Sequence, residues 1–129
     1  MGLGLKGPSR LSRTGLITIM LLCGSWACAK PSVLKPSVPT PLAGAVRFTV
    51  LAPGAKQVVL VGSFNGWAKG ATPMKIVDGS SVWLVDVPLA EGEHTFMYVI
   101  DGVRWMTPPQ AEDFVIDGFG QTNGVVIVR

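Results

Sequence analysis

Few residues in this chain are of the types that carry out chemistry. Its one histidine, His94, opens a strand-like run, where a structural role outweighs a catalytic one. Ser63 and Ser80-Ser81 lack the strand–nucleophile–helix setting of a hydrolase elbow. Glu91 and Glu93 flank Gly92 in a solvated turn. A glycosidase needs two carboxylates across a cleft, one with a raised pKa, and no apolar pocket for such a pair is evident. Phosphate-loop, zinc and calcium-loop spacings are missing, and Asp101-Gly102 and Asp117-Gly118 read as turns. The expectation is a protein without catalytic residues, metal or cofactor.

The aromatic residues offer a different chemistry. Trp83 alternates with Val85 and Val87, and Phe48, Phe96 and Tyr98 also fall at alternate strand positions, so these belong to the core. Trp67 and Trp105 do not fit that pattern. Trp67 follows Asn65-Gly66 in a loop, and Trp105 follows the Asp101-Gly102 turn near a strand end. A loop tryptophan can be a lid over the core. It can equally form a platform for a sugar, because the C–H face of a pyranose stacks on an indole while its hydroxyls take polar partners.

The elements that must position these residues are strands. Val46–Val50 alternates apolar and polar residues, and Val58–Val61 is an unbroken apolar run of strand length. Met74–Val77 and Val82–Val87 flank the turn 78–81 as a hairpin, and His94–Ile100 turns at Asp101-Gly102 into Val103–Met106. A loop runs through Phe114-Val115-Ile116, and Val125–Val128 is the last strand. About seven antiparallel strands without a helical period predict an all-β fold, an immunoglobulin-like (early-set) β-sandwich over residues 44–129.

Three blocks carry a family resemblance: VVLVGSFNGWAKG, EGEHTFMYVIDGVRW and DGFGQTNGVVIV. Together they resemble a family-48 carbohydrate-binding module. That is the early-set domain of isoamylases and glycogen-branching enzymes and of the AMP-activated protein kinase beta subunit, where it binds glycogen. The resemblance covers about residues 45–129. It implies a non-catalytic module for an α-glucan or related polysaccharide, with Trp67 and Trp105 stacking on glucose rings. It also implies that Asn123 and Gln121 bond hydroxyls and that Phe119 supplies a bulky apolar contact. Lys69 is a further candidate from the rim. Three features depart from the family, one being Pro108-Pro109 where the family has Asp-Pro after the second tryptophan. Met97 stands where the kinase subunit has a sugar-contacting lysine, and the turn before Trp105 is one residue longer. The alternative is a protein–protein module in which the same aromatics meet an envelope protein.

The ends of the chain speak to location. Lys6, Arg10 and Arg13 precede the apolar run Leu16–Cys23 and the small residues of 24–29, the layout of a signal peptide over residues 1–29. Residues 30–43, with four prolines, predict an extended linker rather than a strand. Both cysteines, Cys23 and Cys28, lie in the leader, so the remaining domain has no disulfide. The net charge of +3 also belongs to this region: from Gly44 onward six basic residues face eight acidic ones, a balance of −2. No basic stripe exists for nucleic acid. The expected location is the bacterial cell envelope, either periplasmic or membrane-anchored through lipid. Ala27-Cys28-Ala29 fits cleavage before Lys30, while Cys28 also fits a lipidated first residue; the polar proline-rich stretch that follows favours the second. Radiolabelled palmitate fed to cells expressing the full chain should therefore label it, and Cys28→Ala should abolish the label. An unlabelled chain selects cleavage before Lys30.

Overall fold

A computed structural model describes residues 34–129. The expected leader over 1–29 and Cys28 lie outside the described residues, as does the start of the expected linker. The regular elements among the described residues are all strands: β1 (Thr40–Leu42), β2 (Ala45–Leu51), β3 (Val58–Gly62), β4 (Lys75–Ile76), β5 (Val82–Val87), β6 (Gly92–Ile100), β7 (Arg104–Met106), β8 (Asp113–Ile116) and β9 (Thr122–Val128). They form two antiparallel sheets, ordered β1-β2-β5-β4 and β3-β6-β9-β8, with β7 also paired to β6. The predicted all-β sandwich is what the residues build.

Alternation decides which side chains meet between the sheets. Val46, Phe48 and Val50 of β2 point inward with Trp83 of β5. They pack against Val58 and Leu60 of β3, Phe96, Tyr98 and Ile100 of β6, and Val126 of β9. The Phe48 and Phe96 rings meet edge-on at 5.0 Å, and Phe96 and Tyr98 at 5.7 Å, a geometry that suits the charge distribution of aromatic rings. The Tyr98 hydroxyl donates to the Thr49 carbonyl at 3.4 Å across the core, and burial pushes its pKa upward. On the outer face of the first sheet, Arg47 and Asp86 lie directly opposite and pair through two bonds of 2.8 and 2.9 Å.

Two elements correct the sequence reading. The sheet reaches into the proline-rich stretch, where β1 pairs Thr40 with Arg47 and Leu42 with Ala45. It is an edge strand, so the donor that Pro41 lacks is not required by a second neighbour. The stretch 113–116, read as loop, is β8, paired to β9 from Asp113↔Val125 to Ile116↔Thr122. It too is an edge strand, exposed along its length, so it never shows the apolar–polar alternation of a half-buried strand.

Gly62 closes β3 where backbones come close. A Cβ there would run into the Thr95 carbonyl oxygen and the Phe64 ring. The Thr95 oxygen belongs to the sheet and cannot swing aside. Gly62→Ala should lower the free energy of unfolding by about 1–3 kcal/mol, the usual range for overpacking. A urea midpoint equal to the wild-type value contradicts this placement.

Candidate functional site

The second sheet has an apolar outer face as well as an apolar inner one. Val59, Val61, Met97 and Val99 alternate with the core residues of β3 and β6 and form a separate buried cluster. Register sets its layout: Val61 lies opposite Met97, and Val59 opposite Val99. Such a face needs a cover, since each of these side chains is worth roughly 1.5–3 kcal/mol when removed from water. Trp67 and Trp105 are that cover, packed on the cluster and half-buried. The choice between lid and platform therefore dissolves. Each indole has a covered part on the apolar floor and an uncovered part toward solvent.

Trp105 reaches this face through strand register. It lies directly opposite Val99, so both side chains leave the sheet on the same side, while Met106 opposite Tyr98 turns to the core. The turn that delivers it is pinned by Asp101. Its carboxylate accepts the Lys56 and Gln57 amides at 2.7 and 3.0 Å, and its own amide donates to the Gln57 carbonyl at 2.8 Å. Asp101 adopts a left-handed backbone, φ 52°, which aspartate tolerates better than most residues.

Trp67 is held differently. Its backbone is left-handed, φ 60°, directly after Gly66 at φ 67°. That conformation costs a bulky residue on the order of 1–3 kcal/mol and persists only where the surroundings over-determine it. Asn65 supplies the surroundings. Its Oδ1 accepts the Gly62 amide, and its Nδ2 donates to the Leu60 carbonyl and Thr72 Oγ1, all at 3.0 Å. The Trp67 amide closes back on the Gly62 carbonyl at 3.0 Å.

The third wall comes from β9 and the loop before it. Asp117 Oδ1 accepts the Phe119 amide at 2.8 Å and the Gln121 amide at 3.0 Å, so one carboxylate shapes the whole turn. These backbone bonds, Gln121 first, hold the Asp117 carboxyl below its usual range. The turn thrusts Phe119 outward, 94% exposed. Asn123 follows on β9, opposite Val115 of β8, and is 5% exposed. Its Oδ1 is buried without a hydrogen-bond partner among the described residues. An acceptor left in that state costs about 1–3 kcal/mol.

These parts meet around an open cleft of about 510 Å³. Trp67 and Trp105 line it together with Phe119, Gln121 and Asn123, so five of the six expected binding residues come together. Lys69 is not among the lining residues. Its Nζ lies 5.6 Å from the Trp105 ring centroid and 3.4 Å from the Gly102 carbonyl, which ties the Trp67 loop to the Trp105 turn. Thr95, Val115 and Asp117 also line the cleft and were not expected. Thr95 and Val115 carry no motif of their own; only register could reveal them. Asp117 sits in Asp-Gly-Phe-Gly, which announces a turn but not the direction of its carboxylate.

The residues that could have served catalysis have other tasks. The His94 Nε2–H donates to the Ala90 carbonyl at 2.8 Å, and the ring stands edge-on to Phe64. Ser63 Oγ accepts the Thr95 amide at 3.1 Å, and Ser80 Oγ donates to the Val77 carbonyl at 2.7 Å.

The family described as the glycogen recognition site of AMP-activated protein kinase matches residues 46–129, everything from the second residue of β2 onward. The chain belongs to this family. Among curated proteins it is similar to the 1,4-alpha-glucan branching enzyme GlgB of Pseudomonas syringae pv. tomato, with 35% identity over 71 residues. That alignment takes in 55% of this chain and 10% of the enzyme. It is also similar to the 5'-AMP-activated protein kinase subunit beta-1 of Sus scrofa, 36% identical over 76 residues. There the alignment takes in 59% of this chain and 57% of the subunit; for the Rattus norvegicus subunit the second figure is 26%. The chain thus spans a tenth of the branching enzyme and a larger part of the kinase subunit. What it shares with them is this glycogen-recognition region.

Within the glycogen-recognition domain, Asn65 is the residue on which the Trp67 conformation hangs. Asn65→Ala removes three hydrogen bonds and leaves the Gly62 amide and Leu60 carbonyl short of partners. Unfolding free energy should fall by about 1–3 kcal/mol, and the Trp67 indole resonance should move and broaden. An unchanged midpoint with an unmoved Trp67 signal contradicts the assignment.

Proposed function

We propose that the domain binds an α-glucan, of the glycogen or starch kind, by stacking glucose rings on the uncovered parts of Trp67 and Trp105. The observation that carries this reading is the shared cleft: two half-buried indoles held on one apolar floor, lined also by an exposed Phe119 and the polar residues Gln121 and Asn123. A sugar has the complementary faces. Its C–H groups match the indoles and Phe119, and its hydroxyls meet the polar side chains of Asp117, Gln121 and Asn123 that line the same cleft. Gln121, exposed on the rim, offers an amide to further hydroxyls. Membership of a glycogen-recognition family supports the same ligand class.

Met97 fits this reading in its own way. It cannot give a sugar the hydrogen bond that the resemblance assigns to a lysine at this position. It lies buried among Val59, Val61 and Val99 beneath the indoles, where a thioether packs well against aromatic rings. Affinity in this domain then rests on stacking and on the β9 wall. A shallow open site of this kind should bind weakly, with Kd on the order of 10 μM to 1 mM, roughly −4 to −7 kcal/mol. Lost ligand freedom and hydroxyl desolvation offset much of the gross contact energy.

The leader over residues 1–29 would place the domain in the bacterial envelope, so its ligand is a polysaccharide met outside the cytoplasm. An envelope protein docking on the same aromatics is the competing occupant. Affinity electrophoresis of the full chain in gels containing glycogen or amylopectin separates the two. The wild type should be retarded, and the Trp67→Ala/Trp105→Ala double variant should migrate as in a plain gel. Equal retardation of both, or none of either, would falsify the stacking model.

A further inference from the structure

Asp117 is the one charged side chain among the residues lining the cleft. The backbone amides of Phe119 and Gln121 both use its Oδ1, leaving Oδ2 outside those bonds. Neither ion pair among the described residues involves it, since these join Arg47 to Asp86 and Arg129 to Glu112. Lys69 is held outside the lining, over Trp105 and against the Gly102 carbonyl, and does not neutralise it. The carboxyl stays ionised because backbone donors lower its pKa, with the Asn123 side chain adding to the effect. A few residues on, the Asn123 Oδ1 is an acceptor without a donor. This wall of the cleft is therefore net negative, with a carboxylate acceptor at Asp117 beside the mixed donor and acceptor of the Gln121 amide. At Asp117 a ligand is favoured by a hydrogen-bond donor and disfavoured by a negative charge.

We propose that Asp117 is a specificity-determining residue: it accepts a hydroxyl of a neutral glycan and turns away glycans carrying uronate, phosphate or sulfate groups. The inference rests on the glucan reading above and adds the class of glycan that the same cleft refuses. Its physical basis is simple. A hydroxyl can donate to the Asp117 carboxylate, whereas a carboxylate or sulfate offers only acceptors and places a like charge beside it.

The probes are neutral amylose and amylose partly oxidised to the glucuronate, each titrated into the full chain. The wild type should bind the oxidised polymer roughly three- to tenfold more weakly at low salt, the effect of one like charge a few ångströms away across solvent-exposed protein. The gap should narrow in about 0.5 M salt, where the screening length is only a few ångströms. Asp117→Asn keeps an acceptor for the Phe119 and Gln121 amides and removes the charge. It should bring the two polymers to within about twofold of each other while neutral amylose still binds. Equal wild-type affinity for both polymers overturns the proposal, as does a gap that Asp117→Asn leaves unchanged. Should the variant not fold, the salt arm decides, because a gap that does not respond to salt is not electrostatic and overturns it as well. A wild type that holds neither polymer is a different result, and it overturns the glucan reading itself.

Discussion

A sheet with two apolar faces has to be covered twice, and the architecture of this domain follows from that constraint. β3 and β6 send Val58, Leu60, Phe96, Tyr98 and Ile100 into the sandwich and Val59, Val61, Met97 and Val99 out of it. The inner set is covered by the other sheet. For the outer set the cover comes from the loop after β3 and from the short strand β7, which each supply one tryptophan. The side chains proposed to hold a ligand are thus the same ones that keep part of the domain dry. Their rigidity is a by-product of structural duty, and it spares a bound ligand the entropy of ordering them.

Holding the two indoles there requires unusual backbone. Trp67 and Asp101 are the two non-glycine residues with left-handed φ among those described, and one of them is itself a cover residue. Asn65 fixes the first loop with three side-chain bonds, and Asp101 fixes the second turn against the β2–β3 connection. Lys69 links the two. Strain held in place by surrounding bonds is a pattern common at binding sites. Asp117 repeats the device on the far wall, where one carboxylate oxygen sets the course of five residues.

The sequence shows some of this plainly and hides the rest for physical reasons. Alternation in Val46–Val50 and Val82–Val87 exposes β2 and β5, because each has one wet face. The unbroken apolar runs of β3 and β6 carry the sign of a sheet covered on both faces, and a cover residue had to come from elsewhere. β1 and β8 are hidden, since an edge strand tolerates proline and need not bury a face. Trp67, Trp105, Phe119, Gln121 and Asn123 can be picked out from motif blocks, and the fold brings them to one cleft. Lys69 could not be placed from spacing, because whether a side chain on a loop points to the cleft or across Trp105 depends on loop closure. Met97 reads in sequence as a missing donor. Register shows it as floor, opposite Val61 and under the indoles.

The central claim is that Trp67 and Trp105 present open faces to one ligand while Trp83 stays sealed in the core. Indole N–H resonances of the full chain, followed by NMR during titration with maltoheptaose, test this directly. Trp67 and Trp105 should shift together along one saturation curve, and Trp83 should stay in place. Shifts confined to Trp83, or two surface indoles that remain still at millimolar sugar, would contradict the account.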